Sequence, residues 1–420
     1  MKASIKERIE YINKGIVPKG YKTSKLGVIP EDWDVKHFED VAVINPNKEN
    51  LDEKEIVSFI TMSDVSDDAK LIRYQPKLYK EVSNGFTAFK DRDVLVAKIT
   101  PCFENGKGAL VDNLINKTGF GSTEFHVLRP KKYGDEVYIY YLTITDRFRK
   151  IGKENMTGTA GQKRISADFV RGFLIPYPRN DNERKKITDI ISTWDKAIEL
   201  QKNLIEQKKN QKKGLMQRLL TEKVRLPGFK GEWKEVRLGE VLKERKETGY
   251  VYLELLAITV QRGIVRRDEV DIKDNSSEDK SKYKRIMPLD IGYNTMRMWQ
   301  GVSGVSKYEG IVSPAYTVLK PTDKVDSYFI GYLFKLPKVI DKFRRYSQGL
   351  VDDTLNLKYE NFKVIKVRIP QDVNEQKAIA QILICVDKEI EFLEKKLEAL
   401  KQQKKGLMQL LLTGKVRVKC

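Results

Sequence analysis

The clearest pattern in the chain is a seam of apolar residues near its C-terminus, spaced alternately by four and three positions. This spacing places the residues on one face of a helix, and over more than four heptads it is typical of a coiled coil. Lys404 is the one charged residue within the seam. The apolar members are Ile379, Leu383, Val386, Ile390, Leu393, Leu397, Leu400, Leu407 and Leu411.

An earlier copy of this seam lies 192 residues upstream, and residues 211–225 match residues 403–417 at 13 of 15 positions. Its apolar members are Ile187, Ile191, Trp194, Ile198, Ile205, Leu215 and Leu219. Gln201, Lys208 and Lys212 interrupt the seam, and such polar residues cost stability but help to fix register and partner. The protein is therefore two copies of one unit, and two-fold symmetry suits a target with two halves, such as two half-sites on DNA.

Each seam predicts one long helix. Asn182-Glu183 and Asn374-Glu375 stand where the helices begin, shortly after Pro178 and Pro370, and the helices end near Thr221 and Thr413. Roughly 37 residues at a rise of about 1.5 Å would span about 55 Å. The two stripes most simply bury each other, and antiparallel pairing would place the globular parts at opposite ends, although parallel pairing stays possible.

The globular parts resemble each other at their ends and differ in their middles. Residues 33–41 and 233–241 both open with Trp and end in Val, whereas residues 93–130 predict strands around a Gly-rich loop and residues 290–321 have their own pattern. We predict an α+β protein with two mixed α/β domains separated by a long antiparallel two-helix coiled coil, with internal pseudo-two-fold symmetry. The predicted parts are a basic N-terminal segment (1–25), a first domain (26–179), a first helix (180–222), a second domain (223–372), a second helix (373–414) and a tail (415–420).

Charge adds a candidate partner. The formal net charge of the 420 residues is +20, with 19 Tyr and 4 Trp among the basic residues. A solvated Lys-rich surface would explain this charge, but a polyanion such as nucleic acid explains the aromatic residues as well. Three widely spaced cysteines argue against disulfides and a zinc site. No signal peptide or apolar span is recognisable, so we expect a cytoplasmic protein without membrane contact.

With these features in place, the chain resembles a known family, the specificity subunits of type I restriction-modification systems. The repeated Gln-Lys-Lys-Gly-Leu-Met-Gln segments and the Asn-Glu helix starts carry the resemblance. Segments 100–108, 121–125 and 158–164 look like one common type of target recognition domain, and segments 296–301 and 310–314 look like another.

The resemblance implies two target recognition domains, each of which reads one half of a split site in double-stranded DNA. It also implies two DNA adenine methyltransferase subunits and ATP-dependent restriction subunits as partners. S-adenosylmethionine, ATP and magnesium would then bind to those partners, and this chain would carry neither a cofactor nor a catalytic centre.

The residues themselves also predict no catalysis and no metal site. Residues 44–47, Ile-Asn-Pro-Asn, lack the second proline and the aromatic residue of an adenine methyltransferase motif, and a turn is the simpler interpretation. Neither a Walker lysine nor a dinucleotide-binding glycine pattern occurs. The two histidines, His37 and His126, are far apart in the sequence.

Direct readout of bases requires Arg, Lys, Asn or Gln on elements that enter a groove. For DNA binding by the first domain we favour Lys98, Thr100, Asn105, Lys107, Gln162, Lys163 and Arg164. An ordinary hairpin with a solvated Lys107 is the alternative. For the second domain we favour Asn294, Arg297, Trp299, Gln300, Arg344, Arg345 and Gln348.

Two points about the second domain stay open at this stage. Met296, Met298 and Trp299 could instead be core, and if 293–299 is a strand, Arg297 and Trp299 share a face.

Three other functions also stay open: the specificity chain of another two-domain restriction system, a stand-alone architectural DNA-binding protein, and an enzyme with an unrecognised site.

Overall fold

A computed structural model of the protein describes residues 5–159, 161–260, 262–270 and 277–419. Residues 1–4 of the predicted N-terminal segment and Ala160 of segment 158–164 lie outside the described residues, as do Gln261, residues 271–276 and Cys420. None of the described helices combines the length and the apolar character needed to cross a bilayer.

The chain forms two compact units. Unit 1 contains residues 1–200 and 397–420, and unit 2 contains residues 201–396. Both long helices run from one unit into the other, so each unit contains one part of each helix.

The helices and strands up to the end of the first long helix are α1 (Ile5–Asn13), β1 (Tyr21–Ser24), β2 (Gly27–Pro30), β3 (Trp33–His37), α2 (Phe38–Val41), β4 (Ala42–Ile44), β5 (Ile56–Ile60), β6 (Gln75–Leu78), α3 (Tyr79–Val82), β7 (Thr87–Lys90), β8 (Val94–Ala97), β9 (Gly108–Leu110), β10 (Thr118–Gly121), β11 (Phe125–Pro130), α4 (Glu136–Thr143), α5 (Asp146–Glu154), α6 (Ala167–Gly172), β12 (Leu174–Pro178) and α7 (Asp181–Leu219).

The remaining elements are β13 (Trp233–Arg237), α8 (Leu238–Val241), β14 (Leu242–Glu244), β15 (Leu256–Thr259), β16 (Gly263–Arg266), β17 (Lys284–Ile286), β18 (Ile291–Asn294), β19 (Ser303–Val305), β20 (Gly310–Val312), β21 (Tyr316–Pro321), α9 (Ser327–Leu333), α10 (Pro337–Tyr346), α11 (Tyr359–Phe362), β22 (Lys366–Pro370) and α12 (Val373–Leu411).

The two units share one antiparallel sheet and one antiparallel strand pair. The sheet has the order β4-β11-β8-β9 in unit 1 and β14-β21-β18-β19 in unit 2, and the strand pairs are β3 with β12 and β13 with β22. The units differ elsewhere: unit 1 adds the sheet β6-β5-β10-β7, whereas unit 2 has the separate pairs β15-β16 and β17-β20. Two mixed domains with similar ends and different middles confirm the predicted α+β class.

Each shared sheet packs on helices to form the core of its unit. In unit 1 the residues of β8 are all buried, and Val94 and Val96 contact a cluster that includes Tyr138 of α4, Phe148 of α5 and Ile187 of α7. The core of unit 2 repeats this arrangement with Ile291, Phe329, Phe343 and Ile379. The long helices therefore complete the globular cores as well as pairing with each other.

Both long helices contain 39 residues and begin one residue before their Asn-Glu pair. The backbone amide of Asn182 donates to Asn180 Oδ1 at 2.9 Å, and the amide of Asn374 donates to Asp372 Oδ1 at 2.8 Å. These side-chain acceptors satisfy amides that the first turn of a helix leaves without an intrahelical partner.

Ion pairs within the units establish that the helices are antiparallel. In unit 2, Lys208 Nζ lies 2.7 Å from Glu389 and Lys212 Nζ lies 2.6 Å from Asp387, so residue numbers rise on α7 as they fall on α12. The buried Gln201 donates from Nε2 to the Leu393 carbonyl at 3.0 Å. Leu393 lies 192 positions later in the sequence and is therefore the residue of the second copy that corresponds to Gln201. All sixteen apolar seam residues are buried or half-buried.

A buried carboxylate at the start of each long helix accepts hydrogen bonds from the rest of its unit. Glu183 is 1% exposed, and Arg417 Nη2 and Trp33 Nε1 donate to its Oε2 at 2.8 and 3.1 Å. In unit 2, Arg225 Nη2 donates to Glu375 Oε2 at 2.6 Å, and Trp233 Nε1 donates to Oε1 at 3.3 Å. Each arginine belongs to the Lys-Val-Arg segment that follows the other helix.

A second carboxylate, about one third of the way along each long helix, also has equivalent partners in the two units. Asp195 accepts from Tyr141 Oη at 2.8 Å and from Lys404 Nζ at 2.7 Å. Asp387 accepts from Tyr332 Oη at 2.6 Å and forms the ion pair with Lys212. Each aspartate thus joins the globular part of its unit to the other long helix.

We expect Arg417→Met to lower the free energy of unfolding by about 3 kcal/mol, because it leaves the buried Glu183 carboxylate without its ionic partner. This is the lower end of the range for buried pairs, because the Arg417 side chain is 31% exposed. The double variant Glu183→Gln, Arg417→Met is expected to lose less than the sum of the two single variants, since the neutral amide oxygen of the replacement side chain would still accept from Trp33.

Denaturant titration of the four proteins of this cycle measures the coupling. Arg218→Met, at an exposed position of α7, is the matched control and should change stability little. Strictly additive losses would show that the two charges do not depend on each other.

Candidate nucleic-acid interface

Three segments that the sequence singled out in unit 1 lie side by side. Residues 98–107 connect β8 to β9 and contain four of the residues predicted to contact DNA, and we call this segment the first reading loop for that prediction. The amide of Lys98 donates to the Glu124 carbonyl at 2.9 Å, and the amide of Ile165 donates to the Lys98 carbonyl at 3.0 Å. The amide of Thr100 donates to the Lys163 carbonyl at 2.9 Å. Backbone hydrogen bonds therefore join the loop to segments 121–125 and 157–165.

The seven residues favoured in unit 1 differ in accessibility. Asn105, Gln162 and Lys163 are exposed, whereas Lys98, Thr100, Lys107 and Arg164 are half-buried. Lys107 Nζ donates to the Met62 carbonyl at 3.0 Å, so this side chain is held by the protein. The exposed amides and the Lys163 ammonium are the groups in this set that are most accessible to a base edge.

Arg164 is engaged by a carboxylate. Its Nε and Nη2 lie 3.0 and 2.9 Å from the two oxygens of Glu124, and its Nη1 donates to the Gln162 carbonyl at 3.1 Å. The hydrogen bonds from Arg164 lower the pKa of the Glu124 carboxyl, although burial acts in the opposite direction. Bidentate contact with guanine would need the same guanidinium nitrogens that donate to Glu124, so Arg164 reaches a base only after it releases Glu124.

The corresponding surface of unit 2 is formed by residues 294–302, which we call the second reading loop, and by residues 344–357. The amide of Leu357 donates to the Thr295 carbonyl at 2.9 Å, and Gln348 and Asn356 exchange backbone hydrogen bonds of 2.9 and 2.8 Å. Gln300, Arg297, Arg344, Arg345 and Gln348 are exposed, whereas Asn294 and Trp299 are half-buried. All seven predicted residues of this unit lie on these two segments.

The interpretation of 293–299 as a strand is wrong beyond Asn294. Asn294 Oδ1 accepts from the amide of Met296 at 3.0 Å, which ends β18 in a turn, and Met298–Gln300 forms a 3-10 helix. Met298 is fully buried in the core, whereas Trp299 donates from Nε1 to the Met296 carbonyl at 3.1 Å. Alternation along a strand therefore does not explain the positions of Arg297 and Trp299.

The candidate DNA-binding arginines of unit 2 form ion pairs only at the surface. Arg344 lies over the Trp299 ring with Cζ 5.4 Å from the centroid, and its Nη2 donates to Asp352 at 2.7 Å. Arg297 Nη1 is 3.7 Å from Asp353. Exposed ion pairs contribute little to stability, so a phosphate or a guanine can displace these aspartates at small cost.

Sequence reasoning missed the residues that support the reading loops from the interior. Asn45, interpreted as part of a turn, has a positive φ of 51°, and its Oδ1 accepts from the amide of Val127 at 3.0 Å. Arg149 and Lys335, two cations behind the reading loops, carried no sequence signal because each is one basic residue in a basic chain.

Among the described residues, no group of three His, Cys, Asp or Glu side chains could hold a metal ion.

His126 joins the Asn45 turn to the segment beside the first reading loop. Its Nε2 lies 3.0 Å from the Ile165 carbonyl, and since a carbonyl can only accept, Nε2 carries the proton. Nδ1 then accepts from the Asn45 amide at 3.1 Å. Burial lowers the pKa of His126, the Ile165 carbonyl opposes this shift, and the charges of Lys98 and Arg171 add to it.

Because the pKa of His126 is lower in the folded protein than in the unfolded chain, its contribution to stability is complete above the unfolded value of about 6.5. That contribution is lost as the pH falls from there through the folded pKa. We expect the melting temperature to fall more between pH 7 and pH 5.5 for the wild type than for His126→Gln. The variant His37→Gln, which removes the other histidine, is measured alongside it as the matched control. Parallel curves for His126→Gln and the wild type would contradict this assignment.

The sequence matches one protein family in two places and is similar to several of its members. The family model described as "Type I restriction modification DNA specificity domain" matches residues 30–209 and 230–402. The EcoEI and EcoAI type I restriction enzyme specificity subunits of Escherichia coli are 32% and 33% identical over 211 and 204 residues. These matches cover 48% and 45% of this chain and 34% of each relative, so the aligned part is about a third of their length. The putative MjaX specificity subunit of Methanocaldococcus jannaschii is 25% identical over 95% of this chain and 97% of its own length.

Solved structures show the same fold. A chain from a study of complex assembly and conformational transition of the type I R-M system has a TM-score of 0.61 at 17% identity, covering 92% of this chain and 99% of that one. The S subunit of a type I restriction-modification system from M. genitalium has a TM-score of 0.53 at 15% identity, covering 90% and 96%. The two matched segments cover most of the sequence, and the chain therefore belongs to the family of type I restriction-modification DNA specificity domains, of which it contains two.

Proposed function

We propose that this chain is the DNA sequence-recognition subunit of a type I restriction-modification complex and that each unit reads one half of a bipartite site. The observation that carries the proposal is that both units share their helix contacts and their central sheet but present different loops. A shared scaffold with different reading loops suits the recognition of two different half-sites.

The chemistry of the two surfaces supports this function. Unit 1 presents Asn105, Gln162 and Lys163, and unit 2 presents Arg297, Gln300 and Gln348. Amides are suited to adenine, and guanidinium and ammonium groups are suited to guanine or phosphate. The formal net charge of +20 favours association with the DNA backbone before either half-site is read.

Family membership also suggests the partners. DNA adenine methyltransferase subunits would supply S-adenosylmethionine chemistry, and restriction subunits would supply ATP-dependent cleavage with magnesium. The chain itself would bind no cofactor, remain in the cytoplasm and act by placing its partners on a chosen sequence. Asn45 supports a non-catalytic role, because its side chain is committed to Val127 and His126.

Arg297→Ala is expected to relax recognition at one half-site, at a loss of about 1–3 kcal/mol if Arg297 contacts guanine in a bidentate manner. Lys98→Ala is expected to act on the other half-site. The recognised sequence is first obtained by mapping methylated adenines in the host genome, and binding of the assembled methyltransferase complex to cognate and randomised duplexes is then measured.

Lys234→Ala is the control, because this exposed residue of β13 pairs with Glu232 and not with a residue of the second reading loop. Equal weakening on cognate and random DNA would identify Arg297 as a phosphate contact. Uniform methylation without a bipartite motif would reject sequence recognition by two units.

The purified chain is also expected to bind no S-adenosylmethionine and to transfer no methyl group to DNA. Titration calorimetry and a tritiated-methyl transfer assay measure the two properties, with the methyltransferase complex as the positive control. Stoichiometric cofactor binding by the chain alone would overturn the non-catalytic assignment.

A further inference from the structure

A half-buried arginine lies behind the first reading loop. Arg149, on α5, donates from Nη1 to the Phe103 carbonyl and from Nη2 to the Gly106 carbonyl, both at 3.1 Å. The carbonyl of Lys107 lies 3.5 and 3.4 Å from the same two nitrogens. Its guanidinium also lies 4.9 Å from the centroid of the buried Phe103 ring. One side chain thus holds three carbonyls of the loop that presents Asn105.

A lysine has the same relation to the second reading loop. Lys335 lies between α9 and α10, and its Nζ donates to the carbonyls of Gly301 and Ser303, both at 2.7 Å. Gly301 has a φ of 77°, and a Cβ there would lie 2.9 Å from Ile340 Cδ1, so the backbone turns sharply against α10. The lysine therefore secures the point at which the loop with Arg297, Trp299 and Gln300 returns to β19.

Neither cation is balanced by a carboxylate in the described part of the chain. Burial lowers the pKa of Arg149 to about 10. Burial also lowers the pKa of Lys335 to about 8, and the nearby charge of Lys212 adds to that shift. A buried cation without an anionic partner is unfavourable unless polar groups replace its water shell. Here the replacing groups are the loop carbonyls, so cation and loop conformation stabilise each other.

The two residues are not sequence equivalents. Tyr141 on α4 corresponds to Tyr332 on α9 through their bonds to Asp195 and Asp387, which are 192 residues apart. Lys335 follows its tyrosine by three positions, whereas Arg149 follows by eight. Different residues at different positions, one in each unit, hold the backbone of the loop that carries candidate base contacts.

We propose that Arg149 and Lys335 are positioning residues for base recognition, each of which holds one reading loop from the interior and determines specificity for one half-site without contacting DNA. This inference rests on the proposed function. Small displacements of a loop backbone change the position and direction of its side chains relative to the bases. Specificity should therefore be lost before general affinity for DNA.

The test uses the chain assembled with its methyltransferase subunits and the variants Arg149→Met and Lys335→Met. Arg149→Met is expected to weaken binding to the cognate duplex by about tenfold or more and to leave binding to random duplex within about twofold. Mapped methylated adenines should show relaxed bases in one half-site for Arg149→Met and in the other for Lys335→Met. The slope of affinity against salt concentration should stay unchanged, because no phosphate contact is removed.

Matched controls separate positioning from loss of a basic residue. Arg147→Met lies on the same helix but removes a bond to the Leu174 carbonyl at 2.7 Å, and Lys342→Met removes a bond to the Lys366 carbonyl at 2.7 Å. Both controls should keep both half-sites. Lys335→Arg should retain part of the specificity, because a guanidinium can donate to both carbonyls, and Arg149→Lys should retain less, because one ammonium cannot reach three.

Several outcomes would overturn the proposal. Equal weakening on cognate and random DNA would make the cations part of the general electrostatic attraction, and relaxation of both half-sites by one variant would exclude a local role. The same result for Arg147→Met as for Arg149→Met would indicate general damage to α5. If a methionine variant does not fold, the Lys335→Arg and Arg149→Lys variants carry the test, and unchanged specificity in both would reject it. A wild-type complex without any bipartite specificity would instead reject the proposed function.

Discussion

The hydrogen-bonded pair between a buried glutamate at the start of one long helix and an arginine beyond the end of the other is the constraint on which the fold depends. A carboxylate that is 1% exposed, as at Glu183, destabilises a fold strongly unless a cation and further donors satisfy it. Arg417 and the Trp33 indole meet that requirement in unit 1, and Arg225 and Trp233 meet it for Glu375 in unit 2. Each unit can therefore be completed only by the segment that follows the other helix, which requires antiparallel helices.

This arrangement explains why the two ends of the chain belong to the same unit. The segment after α7 belongs to unit 2, whereas the segment after α12 packs into unit 1 beside the N-terminal residues. Tyr21 Oη donates to the Gly414 carbonyl at 3.0 Å, and Lys415 Nζ donates to Asn13 Oδ1 at 2.7 Å. The terminal tail is thus a structural part of the first domain.

The helices use polar residues where an ideal seam would be apolar, and those residues have specific partners. Lys212 and Lys404 each bind an aspartate that also accepts from a tyrosine of the adjoining domain, and Gln201 binds a backbone carbonyl. Such contacts favour one register over alternatives that would bury the same groups without partners. The scaffold is consequently specified by polar contacts, and the loops it presents are free to differ.

The sequence by itself determined the repeat, the α+β class and the family, and it placed the bounds of the two long helices within three residues of those observed. These features depend on periodicity and on short motifs. Only the tertiary structure decided which candidate side chains are accessible. Glu124 engages Arg164 across 40 residues of sequence, and β18 ends before Arg297 because of an Asn294 side-chain bond. Arg149 and Lys335 could not be recognised, since one basic residue among 79 Lys and Arg looks like any other until its carbonyl partners are known. Contacts between loops that are distant along the chain form only once the core has brought them together, and no local pattern encodes them.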